Sequence, residues 1–254
     1  MKKPEFNLEG KCALVCGASG GLGKVTASLL AQAGATLFLC GTSEEKLRTV
    51  EEEIRETGTP CQHLALDLTV EGVPARLAEA AVKSMGRLDI LVNAMGINRP
   101  QKAEGVTSDN WDAIMDINLR ALFFICQAAG RQMIRQKYGR IVNISSQTGT
   151  VAIPMRSAYC ASKAGVDQLT KVLALEWAPH NITVNAVAPT FVQTPFVTEM
   201  FKDESFKRFV LDSIPIGRMA TEEEVAYAVL YLLCDFAAII TGHVLLVDGG
   251  WTIK

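Results

Sequence analysis

Tyr159 and Lys163 stand four residues apart in "SAYCASKAG", residues 157 to 165. In a helix that spacing puts both on one face, with the lysine ammonium against the tyrosine side chain. No carboxylate is expected near enough along the chain to neutralise the cation. A free phenol, with a pKa of about 10, is a weak base near neutral pH. A held ammonium stabilises the phenolate and lowers that pKa, which suits a group that must give or take a proton. A solvated lysine beside a half-buried tyrosine would do none of this, so the surrounding chain has to decide.

A second cluster points to phosphate. The apolar run "CALVC" leads straight into "GASGGLG", Gly17 to Gly23, and then into a helix near Lys24. Glycines at 17, 21 and 23, spaced G-x-x-x-G-x-G, permit a tight turn and close backbone approach. A pyrophosphate then fits the positive end of the following helix, so a dinucleotide site is expected. Three further stretches follow strand candidates, where open α/β sheets bind ligands: "LDL" at 66–68, "NAMG" at 93–96 and "ISSQTG" at 144–149.

The elements that must position these residues alternate short β-branched runs with longer amphipathic segments, the pattern of βαβ units. Strands are expected at "CALVC", "ATLFLC", "CQHLAL", "LDILVN", "GRIVNI", "ITVNAVA" and "HVLLVDG". Helices are expected over 21–33, 44–57, 72–85, 108–137, 158–177 and 222–233. The fold class is therefore α/β: a Rossmann-type, doubly wound, seven-stranded parallel sheet with helices on both faces. Residues 1–254 read as one dinucleotide-binding domain, and 190–220 as a loop or short-helix insertion over a site.

Composition narrows the partners. The 254 residues are 49% hydrophobic, enough for one full core, and the net charge of -2 offers no basic field for nucleic acid. The seven cysteines form no C-x-x-C pair, which suggests a reducing compartment without disulfides. The N-terminus lacks the apolar core of a secretory signal, and no uninterrupted apolar run has the length of a membrane span. The expectation is a cytoplasmic protein with a small-molecule substrate and no nucleic-acid or membrane partner.

Taken together, Gly17-Gly21-Gly23, Asn93-Ala94-Met95-Gly96, Asn118, Ser146, and Tyr159 with Lys163 resemble the motif set of the short-chain dehydrogenase/reductase family. The resemblance covers nearly the whole chain, and the 13-residue separation favours Ser146 over Ser145 as the family serine. It implies an NAD(P)-dependent oxidoreductase that interconverts a secondary alcohol and a ketone. Tyr159 would handle the alcohol proton, helped by Lys163 and by the positive ring of the oxidised cofactor. Lys163 would also bind the nicotinamide ribose, Ser146 would donate to the substrate oxygen, and Asn118 would hold a water linking Lys163 to solvent. Cofactor contacts carried over in the same way fall on Ser19 and Leu22 in the glycine turn, on Asp67, which resembles the residue that reads the adenine edge, and its neighbour Leu68, on Asn93, Ala94 and Gly96, and on Pro189, Val192 and Thr194 near the nicotinamide. Cys16, Ala94-Met95 and Thr190 depart from the usual Thr, Asn-Ala and Gly.

At the adenosine ribose, "LFLCGTSEEKL" places Gly41 at the family's acid position and Thr42 at its arginine position. An open Gly41, with the Thr42 and Ser43 hydroxyls at a helix start, favours NADP(H) over NAD(H), with use of both left open. Asn98, Arg99, Gln147, Arg156 and Phe196 are the candidate substrate residues. The segments "GINRP" and "IPIGRM" resemble sugar-acid and polyol dehydrogenases of the family, and also its 3-oxoacyl carrier-protein reductases. A catalytically idle, cofactor-binding regulator is the alternative from another class, and it would be expected to lose Ser146, Tyr159 or Lys163. The terminal "TGHVLLVDGGW" reads as an apolar edge strand, and with the family's habits it implies a homotetramer.

Overall fold

A parallel sheet covered on both faces needs strands that are apolar along their whole length, and the central strands here are of that kind. The computed structural model describes residues 6–253, apart from the side chains of Pro195 and Phe196. Its strands are β1 (Cys12–Cys16), β2 (Thr36–Gly41), β3 (Cys61–Ala65), β4 (Ile90–Asn93), β5 (Gly139–Ile144), β6 (Ile182–Pro189) and β7 (Val244–Val247). They form one seven-stranded parallel sheet in the order β3-β2-β1-β4-β5-β6-β7. Every residue of β1, β4, β5 and β6 is buried, whereas β3 and β7, at the two edges, are partly exposed.

The helices are α1 (Gly21–Gln32), α2 (Glu44–Glu56), α3 (Val73–Met85), α4 (Ser108–Met115), α5 (Leu122–Gln136), α6 (Ser157–Trp177), α7 (Pro195–Met200), α8 (Glu204–Ser213) and α9 (Glu222–Leu233). The two-residue period of β1 sorts them into layers. Ala13 and Val15 share a core with Leu30 of α1, Val50 of α2 and Val229 of α9. Leu14 and Cys16 face Leu77 of α3, Ile125 of α5 and Val166 of α6. This is the doubly wound, Rossmann-type arrangement that the sequence pattern implies.

The differences from the sequence reading are local and have visible causes. The segment read as one helix over 108–137 is interrupted by a π-helical turn, Asp116–Ala121, with Asn118 inside it. Strand β4 begins two residues late because the Gln136 side chain takes both the N–H and the carbonyl of Leu88. Strand β7 stops at Val247 because the Asp248 carboxylate accepts from the N–H groups of Gly250 and Thr252 and turns the chain. The 190–220 segment carries the two short helices α7 and α8. Ser108–Gln136 is long and apolar enough on average to cross a membrane, although charged residues such as Asp116, Arg120 and Arg131 interrupt it, in keeping with the lack of an uninterrupted apolar run. In the fold its Leu122, Ile125, Cys126, Ala129 and Met133 are buried in the core beside α3 and α6.

Strand order reverses between β1 and β4, and the loops that leave these two strands diverge to open a crevice beyond their C-terminal ends. Gly17 follows β1, Asn93 ends β4, Ser146 lies two residues past β5 and Thr190 follows β6. Four chain segments distant in sequence are thereby brought to one edge of the sheet.

Candidate active site

The glycine turn is built by close backbone approach. The N–H groups of Gly17 and Ala18 both donate to the Cys40 carbonyl, at 2.8 and 3.0 Å, which ties the turn to the end of β2. Gly17 has φ +85°, and a Cβ there would lie 2.8 Å from the Ala94 oxygen and the Met95 nitrogen. A Cβ on Gly23 would overlap the Gly17 carbonyl. The N-terminus of α1 has no side-chain cap and no acid in its first turn, so its N–H groups remain available to an anion. These features fit a dinucleotide diphosphate.

At the ribose end the expected opening is filled differently. Gly41 does not face free space: a Cβ added there would lie 3.0 Å from Ser19 Oγ and 3.1 Å from Ser19 Cβ. Thr42 is exposed, and the Ser43 hydroxyl oxygen accepts from the Lys46 N–H as the cap of α2. Asp67 is exposed and accepts from both the N–H and the hydroxyl of Thr69, so it acts as a turn acid. Leu68 is buried in the core beneath it. Asn93 is structural: its Nδ2 donates to Asn143 Oδ1 at 2.9 Å, and Asn143 donates on to Thr170 at 3.0 Å.

A cavity of about 330 Å³ continues from this turn across the sheet edge. Its lining brings together the expected cofactor residues Leu22, Ala94, Gly96, Pro189, Val192 and Thr194, the expected catalytic residues Ser146, Tyr159 and Lys163, and the candidate substrate residues Asn98, Gln147 and Arg156. Arg99 lies outside it: the side chain is exposed and donates to Asn110 Oδ1 at 3.1 Å. The side chain of Phe196 lies outside the described residues. Over the cavity, Phe191 packs against Phe206 of α8 and against Trp251, with ring centroids 5.7 and 5.9 Å apart.

Helix α6 sets the Tyr–Lys geometry. Lys163 Nζ lies 5.7 Å from the centroid of the Tyr159 ring and donates to the Ile144 carbonyl at 2.8 Å. Gly96 allows close approach to Asn118, since a Cβ there would stand 3.2 Å from Asn118 Oδ1, whereas its 3.5 Å to Lys163 Nζ would be an ordinary contact. Asn118, in the π turn, accepts from the Ile97 N–H at 2.8 Å and donates to the Ile97 carbonyl and Ser162 Oγ. Ser146 Oγ accepts from the Thr148 N–H at 3.2 Å and lines the cavity together with Tyr159.

The electrostatics correct the sequence reading in two places. Tyr159 keeps some surface open to the cavity but lies deep, and burial pushes its pKa above the ordinary value. The hydrogen bond from Ser146 and the charge of Arg156, rather than that of Lys163, pull it back in part. Burial of Lys163 outweighs its attractions and pushes the ammonium down from 10.5 to about 8. Nor is the lysine without a carboxylate: Asp167, one turn along α6, raises its pKa. Asp167 is itself buried and pushed upward by desolvation, and it accepts from Ser145 Oγ at 2.5 Å. A carboxylate four residues from a lysine was visible in the sequence; that both would be buried was not.

Known proteins resemble this chain over nearly its full length. A family model described as enoyl-(acyl carrier protein) reductase matches residues 17–252. An NAD-dependent glycerol dehydrogenase of Listeria innocua is 38% identical, covering 98% of this chain and 97% of its own length. A 3-oxoacyl-(acyl carrier protein) reductase of Thermotoga maritima is 39% identical, covering 98% of this chain and 100% of its own. A gluconate 5-dehydrogenase of Burkholderia cenocepacia, solved in complex with NADP and tartrate, superposes with a TM-score of 0.94 at 32% identity, covering 98% of each chain.

Proposed function

The chain belongs to the short-chain dehydrogenase/reductase family and is an NAD(P)-dependent oxidoreductase acting on CH–OH groups; from that premise we propose that it interconverts a secondary alcohol and a ketone on a sugar acid or polyol. One observation carries the choice of substrate. Asn98 Oδ1, Gln147 Oε1, Thr148 Oγ1 and Thr190 Oγ1 are buried without hydrogen-bond partners, and all four residues line the cavity that holds Ser146 and Tyr159. Buried polar atoms are nearly always paired. These residues, with Arg156, give the cavity a polar lining that suits a polyhydroxylated ligand better than an acyl chain.

In this reading Tyr159 gives or takes the alcohol proton and Ser146 holds the substrate oxygen. Lys163, anchored on the Ile144 carbonyl, stands 5.7 Å from the Tyr159 ring, where it would bind the nicotinamide ribose. Asn118 fixes the 96–98 turn and connects this group to Ser162. A bound nicotinamide supplies or accepts the hydride. Gly17, Gly21, Leu22 and Gly23 would hold the diphosphate, Ser19, Thr42 and Ser43 the adenosine ribose, and Asp67 and Leu68 the adenine side. Asn93 would support the turn that carries Ala94 and Gly96, which with Pro189, Val192 and Thr194 border the nicotinamide half. No acid stands at the ribose position, which favours NADP(H), with NAD(H) usable.

The chain acts as one domain, with 190–220 as its substrate loop, in a cytoplasmic homotetramer. Two separate apolar surfaces support that assembly. One is the β7 edge, where Leu246 is half-exposed and Ile239 is 93% exposed nearby in sequence. The other is a groove lined by Leu119, Phe123, Leu169 and Val172. A monomeric mass by light scattering at micromolar concentration contradicts the assembly.

The substrate reading is tested by a turnover screen of sugar acids, polyols and 3-oxoacyl thioesters with both cofactors. Turnover of the hydroxylated compounds is expected; turnover confined to the thioesters overturns the reading.

A further inference from the structure

The cavity contains a buried cation with no carboxylate partner among the described residues. Arg156, three residues before Tyr159, is 5% exposed and lines the cavity beside it. Among the described residues no carboxylate lies within ion-pair distance of its guanidinium, and its side chain donates no hydrogen bond. Its contacts are the rings of Phe191 and Phe206, at 5.7 and 5.8 Å from their centroids. Those contacts engage the cation without using its N–H donors. The other buried arginine shows how this protein treats such a group when it is structural. Arg140 is 2% exposed, ion-pairs with Asp235 and donates to the carbonyls of Gly139 and Asn181.

We propose that Arg156 is the specificity-determining residue of this site, binding the carboxylate of the substrate, so that the enzyme acts on hydroxy acids of the aldonate type in preference to the corresponding neutral alditols. The inference rests on the polyhydroxylated-substrate reading and narrows it. A buried guanidinium presents five donors in a planar fork matched to a carboxylate, and leaving it unpaired is costly. Its placement three residues before Tyr159 on the cavity wall would put the acid group near the phenol, while Asn98, Gln147 and Thr148 add polar side chains to the lining of the same space. Burial lowers the pKa of Arg156, the direction expected of a cation with no anion beside it. A tether for the aromatic cover, through Phe191 and Phe206, is the competing role.

The experiment compares kcat/KM for aldonates and for alditols of the same length and configuration, D-gluconate against D-glucitol among them. Wild type, Arg156→Gln and Arg156→Lys are measured with the preferred cofactor. Wild type is expected to favour the acids, and Arg156→Gln to lose about 10²-fold more on the acids than on the alditols. Arg156→Lys should restore part of the difference. Equal losses on both series, or a wild type that favours alditols, overturns the role of Arg156 and leaves the polyhydroxylated reading standing. If neither series turns over, that reading has failed. Calorimetric binding of D-gluconate to the NADP⁺-loaded protein then decides the Arg156 role separately: it is upheld if wild type binds and Arg156→Lys binds more weakly, and overturned otherwise. The lysine variant also serves if Arg156→Gln does not fold.

Discussion

Replacing Lys163 by Met should give a protein that is inactive yet gains stability at neutral pH, and the gain should shrink as pH rises. Lys163 is 3% exposed, and its pKa falls from 10.5 in the unfolded chain to about 8 in the fold. The unfolded chain therefore binds the proton more tightly, so the charged lysine opposes folding below pH about 8. That cost declines as pH rises through the window from about 8 to 10.5. At 1.36 kcal/mol per pKa unit the full cost is about 3 kcal/mol. Met removes it but strands the Ile144 carbonyl, which Lys163 Nζ meets at 2.8 Å; an unpaired buried acceptor costs about 1–3 kcal/mol. The net gain at neutral pH is then small, about 0–2 kcal/mol. The carbonyl term does not titrate, however, and drops out of the pH dependence. Between about pH 7.5 and 9.5 the stability of wild type relative to Lys163→Met should rise by about 2 kcal/mol. Urea unfolding of both proteins without added cofactor, at equal protein concentration and several pH values, measures this. Parallel profiles would mean that Lys163 keeps an ordinary pKa, and the account of its burial would be wrong.

Tyr159→Phe should lower kcat by the 10²–10⁴-fold typical of a general acid-base group and leave cofactor affinity within a few fold. Steady-state rates and cofactor titration check it, and retention of more than about a tenth of wild-type kcat rejects the assignment. Asp167→Asn removes a charge that raises the Lys163 pKa. The alkaline limb of the kcat/KM profile should therefore move to lower pH if turnover requires the lysine charged, and an unmoved limb counts against that coupling. Gly41→Asp brings a carboxylate to the ribose end and displaces Ser19, whose Oγ would stand 3.0 Å from the new Cβ. NADPH binding should weaken by about 1–3 kcal/mol while NADH binding holds better. An unchanged ratio of the two affinities, by fluorescence titration, would refute this view of the pocket.

What the sequence made legible is what short-range periodicity encodes. Five of the six expected helices appear within one residue at either end, because apolar spacing and end signals such as the Thr221–Glu224 capping box are local. The glycine turn was legible because strand, glycines and helix are contiguous. The sixth helix was misread at Asp116–Ala121, where the backbone departs from α geometry and Asn118 meets the 96–98 turn, 21 residues away. No local pattern announces that contact. The opening at Gly41 failed for the same reason: Ser19 covers it from the neighbouring strand's loop.

The Lys163–Asp167 pair shows where the boundary lies. Their spacing was as plain in the sequence as that of Tyr159 and Lys163, and on an exposed helix such a pair is worth only a few tenths of a kcal/mol. Its weight here comes from burial, which other segments impose. Ser145, 22 residues earlier, donates to the carboxylate, and Gly149 leaves space for it, since a Cβ there would collide with Asp167. The Ile144 carbonyl fixes the ammonium. These three residues lie at or just beyond the end of β5, the same turn that presents Ser146 to the cavity. One turn of chain therefore sets both the position of the candidate substrate-binding serine and the charge environment of the lysine. A substitution at Gly149, outside the cavity lining, should accordingly disturb catalysis without touching substrate, an effect legible only once the strand end and the helix are seen together.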